Sequence, residues 1–400
     1  MNILIISHEY PPIGGGGANA CMNLARQYAR CGHEVDIVTV WFDGLKEHEI
    51  IETKDTSGCV TITRLKTKRK HKEHCSFAEM LDYLKKALPV ADRLEKDNKY
   101  DICQIFFGIP SGPVGYYLKK KYKLPYVIRF GGGDIPGFQD RFTKVYKLIG
   151  PAIKTIWKNA DALVANSKGL KKLAEDFYDK KEIMVIPNGA DLNAFAEKDS
   201  TYVSTTSQEA CQDNTINLLF VSRLIERKGL QDIIPQLASV REYCNSVGKN
   251  LLFQIVGDGP YRETLENLAS EHDLQDTVVF YGQKNKNELP EYYRNADIFV
   301  FPSRKEGMPN VVLEAMSYGL PILMTPCQGS DELIDGNGFV EGSSEFGKRL
   351  IAMLSNGNLT LEQGEQSSHL VKEKFSWQKT SESYLELFRY LVERVEIQND

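Results

Sequence analysis

Four hundred residues, 42% hydrophobic and 26% charged, make a chain of ordinary globular composition that is longer than one hydrophobic core usually serves. No apolar run reaches the roughly 20 residues that span a bilayer. The eight cysteines include no C-x-x-C pair and the seven histidines show no metal-ligand spacing, so a membrane-spanning protein, a disulfide scaffold and a zinc domain are set aside. The net charge of −5 hides a split, with 30 basic and 23 acidic residues up to Phe195 and 19 against 31 beyond it. Two halves with different partners are expected.

The opening M-N-I-L-I-I-S-H-E-Y has no basic leader, and a cytoplasmic protein is expected. Its apolar run Asn2 to Ser7 predicts a strand, followed by E-Y-P-P-I and the glycines Gly14 to Gly17. Ala20, Leu24, Ala25, Tyr28 and Ala29 then fall at helical spacing, Gly32 provides a C-cap, and Glu34 to Val40 predicts the next strand. Strand, glycine loop, helix, strand is a Rossmann-type opening. Without the G-x-G-x-x-G order or an acidic residue for a ribose, a dinucleotide site is not supported. The glycines fit either a loop that approaches a ligand closely or a merely mobile surface loop.

Arg64 to His74 is strongly basic, either a solvated loop or a contact for a polyanion or membrane surface. Phe77 to Leu94 predicts an amphipathic helix with Leu81, Leu84, Leu88 and Leu94 available to its apolar face. Asp101 to Phe107 and Tyr126 to Phe130 predict strands with a helix around Val114 to Lys121 between them. After the second strand comes a glycine loop, Gly131 to Gly137, that contains Asp134. Ala162 to Ala165, a helix cap at Asn166-Ser167, and Ile183 to Ile186 complete a first sheet. The polar stretch Lys198 to Thr215 reads as a linker.

A second α/β unit begins with the strand Ile216 to Val221. Arg223 and Lys228 follow it, either two surface cations or a pair placed over one strand end to hold phosphate. Leu251 to Val256 with the turn Gly257 to Pro260, Val278 to Gly282, a helix ending near Asn295, and the buried parallel strand Asp297 to Pro302 come next. Beyond that strand, Glu306 lies in a Gly/Pro loop and Val311 to Tyr318 predicts a helix with Pro309 at its first position. Amides of Gly307, Met308, Asn310 and Val311 would then point at an anion. Glu306 and Glu314 would repel that anion unless each holds sugar hydroxyls, which fits a nucleotide-sugar. The plainer alternative is an acid complementing the helix dipole and a solvated Glu314. The chain ends in a helix with Tyr384, Leu385, Leu387, Phe388 and Leu391 as its apolar set.

Glu306 to Gly319 resembles the E-G-(F/M)-P-N-x-x-L-E-A-M-x-x-G segment of retaining family 4 glycosyltransferases. Pro187 to Asp191 resembles the family's I-P-N-G-V-D, Ser222 to Gly229 its G/S-R-L-x-x-x-K-G, and Gly257 to Pro260 part of its V-G-x-G-P. The likeness covers nearly the whole chain. It implies an α/β fold of two Rossmann-like domains facing across a cleft (GT-B). Residues 1–195 would bind the acceptor, 196–215 would link, 216–375 would bind the nucleotide-sugar, and a C-terminal helix over 376–400 would pack back toward the first domain. The implied activity is a hexosyl transfer, with retention, from a nucleoside diphosphate sugar to an acceptor, lipid-linked or a polysaccharide precursor. No cofactor and no nucleic acid is implied, and without a D-x-D triplet no metal. A nucleotide-sugar epimerase and a non-catalytic binding paralogue are the alternatives.

The resemblance also distributes roles. Arg223 and Lys228 would neutralise the leaving diphosphate, Glu306 would touch the donor sugar, Glu314 would hold the ribose, and Gly16 and Gly17 would approach the diphosphate. Gly257, Gly307, Met308, Pro309, Asn310 and Val311 complete the donor set. Many members carry a histidine where this chain has Gly131, so Asp134 becomes the expected acceptor-side catalytic group. The basic first domain is expected to make peripheral contact with an anionic membrane, at its inner face.

Overall fold

The computed structural model describes residues 1–52, 58–72, 75–139, 143–192 and 214–399. The chain divides into two compact units, one of Met1–Asn188 with Trp377–Asp400 and one of Gly189–Ser376. Of the expected linker 196–215, residues 196–213 lie outside the described residues.

In the first unit the strands are β1 Asn2–Ser7, β2 Glu34–Val40, β3 His48–Glu52, β4 Cys59–Leu65, β5 Ile102–Phe106, β6 Tyr126–Arg129, β7 Ala162–Ala165 and β8 Ile183–Val185. They form one sheet in the order β3-β4-β2-β1-β5-β6-β7-β8, parallel except for the antiparallel edge strand β3. The central strand β1 sets Ile5 opposite Ile37 of β2 on one side and Gln104 of β5 on the other. Because β1 is buried on both faces, it reads as a continuous apolar run rather than an alternation.

Two expectations for this unit change. The helix Phe77–Asn98 turns Tyr83, Ala87 and Ala91 inward, so Leu81 is exposed and Leu84, Leu88 and Leu94 are only partly covered. Small residues on the inner face let the helix sit close on the sheet. The basic run also divides. Arg64 belongs to β4 and is buried with Arg69, whereas Lys66, Lys68, Lys70 and Lys72 are exposed. Glu73 and His74, at the end of that run, lie outside the described residues.

The closing helix Trp377–Asn399 belongs to the first unit. Its expected apolar set, Tyr384, Leu385, Leu387, Phe388 and Leu391, is buried, and Phe388 meets the ring of Tyr28 edge-on at 5.7 Å on the helix Gly16–Arg30.

The second unit has strands β9 Thr215–Val221, β10 Asn250–Val256, β11 Val278–Gly282, β12 Ile298–Phe301, β13 Ile322–Met324 and β14 Gly338–Val340. All pair in parallel, in the order β11-β10-β9-β12-β13-β14. Chain order reverses beside the first strand of each sheet: β9 lies between β10 and β12, as β1 lies between β2 and β5. At such a reversal the loops leaving neighbouring strands run to opposite faces and open a crevice at the strands' C-terminal ends, where open α/β sheets bind ligands.

Candidate active site

In the second unit the crevice is bounded by the loops that follow β9 and β12. The β9 loop closes in the short turn Glu226–Lys228, where the Lys228 amide donates to the Ile225 carbonyl at 2.9 Å. Gly229 ends the turn at φ +73°, with a Cβ there falling 2.0 Å from the Pro302 carbonyl oxygen. Only glycine lets the two loops touch through their backbones. The contact carries Lys228 to Glu306, with Nζ 2.8 Å from Oε1, and Ser303 Oγ donates to the same oxygen at 3.0 Å. The ammonium also lies 5.0 Å above the Phe301 ring.

Electrostatics makes this an ionic pair. Burial alone would raise the Glu306 carboxyl, but the Lys228 and Arg227 charges and the hydrogen bonds from Lys228 and Ser303 outweigh it, holding Glu306 below its ordinary pKa. Arg227 and the exposed Arg223, on the same loop, both add positive charge near Lys228. Arg304 fixes the β12 loop from outside with a bidentate grip on Asp232, at 2.9 and 2.6 Å.

The loop after β10 is held in the same manner. Gly257, at φ +139°, places its missing Cβ 1.9 Å from the Ser222 carbonyl, and the Leu224 amide donates to Asp258 O at 2.9 Å. Gly257 therefore shapes the loop that carries Arg223. The helix after β12 runs over Asn310–Ser317 with Pro309 as its N-cap residue, one position outside the expected place. Gly307, Met308 and Pro309 are buried, and Asn310 and Val311 open the helix. Glu314 lies on that helix and accepts a hydrogen bond from Tyr293 Oη through Oε2 at 3.1 Å. Burial pushes its carboxyl above the ordinary value, against the opposing Tyr293 bond and Lys286 charge.

The structure thus gathers Arg223, Lys228, Glu306 and the start of the 310–317 helix around the β9/β12 strand ends, with Glu314 on the same helix. Among the described residues, no group of three or more His, Cys, Asp or Glu side chains converges as a metal site.

In the first unit Gly16 and Gly17 open the helix after the glycine loop. A Cβ at Gly17 or at Gly131 would fall 2.4 Å from the Phe107 ring. Both glycines exist because that ring occupies their side-chain volume. Phe107 follows β5 at φ +68°, an uncommon conformation for a bulky residue. Its ring meets His8 edge-on at 4.8 Å. Burial lowers the His8 pKa to about 4, so the imidazole is neutral near pH 7, and its Nδ1 has no hydrogen-bond partner among the described residues.

Asp134 stands in the glycine loop after β6, as expected, but its carboxylate is closed in. It is 3% exposed, its Oδ2 accepts the Gly108 amide at 2.6 Å, and its Oδ1 accepts the Gly131 amide at 2.8 Å. A buried carboxylate with both oxygens on backbone amides holds the β5 and β6 loops together. This favours a positioning role over the acceptor-side chemistry expected of it. Tyr293, Ser303, Phe107 and His8 were not singled out by sequence. Phe107 reads as a strand's last apolar residue, and no spacing signal links Tyr293 to Glu314.

Two family models match in succession, Glycosyltransferase Family 4 over residues 14–194 and Glycosyl transferases group 1 over residues 204–369. The chain belongs to the group 1, family 4 type of glycosyltransferases. This glycosyltransferase is 27% identical to glycosyltransferase MJ1607 of Methanocaldococcus jannaschii, over 98% of its own length and 99% of the relative. In three dimensions it resembles the sucrose-phosphate synthase of Thermosynechococcus elongatus, with a TM-score of 0.79, 20% identity, and 98% and 99% of the two chains covered. It also resembles the Anabaena protein HepE solved in complex with UDP-glucose, with a TM-score of 0.69, 16% identity, and 98% and 100% covered. These likenesses establish the GT-B fold of two Rossmann-like domains.

Proposed function

We propose that this glycosyltransferase moves a hexosyl group, with retention, from a nucleoside diphosphate sugar to a lipid-linked or polysaccharide-precursor acceptor. The observation that carries the reading is the part-buried Lys228–Glu306 pair at the β9/β12 strand ends, beside Arg223 and a helix start. The likeness to a protein solved with UDP-glucose supports a donor of this class. As the bond between the anomeric carbon and the diphosphate oxygen breaks, charge develops on the leaving phosphate. Lys228 and Arg223 meet that charge, assisted by the amides that open the 310–317 helix. Glu306, already oriented by Lys228 and Ser303, accepts from donor sugar hydroxyls, and Glu314 accepts from the ribose. No step draws on a metal or cofactor in this reading.

The acceptor is proposed to reach the protein at an anionic membrane surface. The first unit carries 33 basic and 27 acidic residues against 16 and 27 in the second. Lys66, Lys68, Lys70 and Lys72 lie on one of its exposed loops. Of these Lys66 is paired with Glu47, as Lys119 and Lys121 elsewhere are engaged by Asp161 and Asp92.

The test is a thermal-shift screen against nucleotide-sugars, followed by turnover of the stabilising donor with and without candidate acceptors. Stabilisation by one donor and acceptor-dependent release of its nucleoside diphosphate are expected. Complete donor conversion without acceptor would replace the reading with an epimerase, and binding without any turnover would leave a binding protein.

A further inference from the structure

The Tyr293 hydroxyl reaches Glu314 from a helix of its own, Leu289–Arg294, which precedes β12. Its ring is 2% exposed and lies between two others, parallel to Tyr318 at 5.2 Å and tilted on Phe299 at 6.0 Å. Phe299 in turn stacks on Phe301 at 6.2 Å, the ring that carries the Lys228 ammonium. One column of aromatic side chains therefore seats groups at both ends of the crevice. A ring clamped on two faces cannot swing, so its hydroxyl is a fixed donor, and it engages Oε2 of Glu314. Oε1 has no hydrogen bond among the described residues and is left for a ligand.

We infer that Tyr293 is the positioning residue of the nucleoside subsite, aiming one oxygen of Glu314 at the ribose by holding the other. The inference rests on the donor-site reading given above. A freely rotating carboxylate would lose conformational entropy on gripping the ribose. One already held at Oε2 is preorganised, and it exchanges less hydrogen bonding with water as the ligand enters. The hydroxyl also favours the ionised carboxylate, the form that accepts from two ribose hydroxyls.

The test compares wild type with Tyr293→Phe, which keeps the ring and its stacking. UDP, ADP and GDP are titrated separately by calorimetry, with inorganic diphosphate as a ligand that has no ribose. The variant should lose roughly three- to tenfold in affinity for whichever nucleoside diphosphate binds, the scale of ordering one side chain that the wild type already holds. Inorganic diphosphate should bind both proteins alike. In a Glu314→Gln background the same substitution should cost much less, because the carboxylate it positions is gone. Full retention of nucleoside diphosphate affinity, equal loss for inorganic diphosphate, or strict additivity with Glu314→Gln would each overturn the inference while sparing the donor site. A wild-type protein that binds none of the three nucleotides would overturn the donor-site reading, and this one with it.

Discussion

The two sheets reverse their strand order in the same way, yet the crevices at those reversals are furnished differently. At the β9/β12 ends, the buried Lys228 meets the part-buried Glu306, and an exposed Arg223 stands beside them. At the β1/β5 ends stand an aromatic ring, a histidine made neutral by burial, a carboxylate closed off by two amides, and Glu9 held by the buried Arg69 at 3.3 Å. Glycine serves different ends as well. In the second unit Gly229 and Gly257 let backbone meet backbone, whereas in the first Gly17 and Gly131 make room for the Phe107 ring. One topology supplies two crevices, and side-chain choice lines them differently, with a glutamate and a lysine that lies over a phenylalanine ring in one, and histidine and phenylalanine in the other.

Removing the charged pair is the hardest way to break that comparison. Lys228→Ala leaves the part-buried Glu306 without its closest counter-charge and takes away the proposed phosphate contact. A loss of roughly 2–5 kcal/mol in donor binding or transition-state stabilisation is expected, read from donor kinetics. Unchanged donor turnover would show that the charged crevice is not the donor site. The matching substitution in the first unit is Gly17→Ala. A methyl group there normally strengthens a helix, but here it meets a ring confined by Gly131 and His8. A net destabilisation of about 1–3 kcal/mol is expected from overpacking. In a Phe107→Ala background the sign should reverse, and chemical denaturation of all four proteins measures the coupling. Additive effects would show that the ring does not confine the glycine loop.

These tests also mark what the sequence made legible. Apolar runs between Gly/Pro loops announced parallel strands, and Arg223, Lys228, Glu306 and Glu314 could be placed because each sits a few residues from such a run. Contacts across long separations were hidden. Tyr293 and Glu314 are 21 positions apart on different helices, and Gly17, Phe107 and Gly131, which meet at one ring, follow three different strands. Leu81 misled for a related reason, since its spacing is helical but the face that turns inward carries Tyr83, Ala87 and Ala91. Arg64 and Arg69 looked like the lysines around them. Only the fold shows Arg64 paired with Glu49, and Arg69 bonded to Glu9 and the His71 and Lys72 carbonyls.

Within the charged crevice the two glutamates respond to pH with opposite signs. Glu306 has a folded pKa below its ordinary value. Its contribution to stability is present above the unfolded pKa and is lost as pH falls through the folded one. Glu314 has a raised folded pKa, so the folded state binds the proton more tightly and stability declines as pH rises through that value. At pH 7, Glu306→Gln should lower stability by about 1–3 kcal/mol, since Lys228 keeps only a neutral partner. Glu314→Gln should raise the unliganded Tm, and its advantage should shrink as pH falls toward the ordinary carboxylate range. Shifts of the same sign for both variants at pH 7 would contradict this account.

The smallest effects belong to the exposed lysines of the first unit, and they extend the contrast between the units from their crevices to their surfaces. Lys66 and Lys72 lie over the rings of Trp41 and Phe42, at 5.5 and 5.4 Å, so lysine and aromatic groups share one surface beyond the β2 and β4 strand ends. Rings of this kind suit the headgroup level of a bilayer, and each lysine near an anionic surface is worth about 1 kcal/mol. Arg64 and Arg69 are buried and cannot add to that attraction. Co-sedimentation with anionic vesicles should therefore weaken by roughly 1 kcal/mol for Lys68→Ala or Lys70→Ala, and fade at high salt as the Debye length shortens. Neutral vesicles should capture little protein, because a few half-covered rings offer scant apolar area. Binding that ignores both lipid charge and salt would show that these lysines only keep the loop solvated, and that the acceptor is met elsewhere.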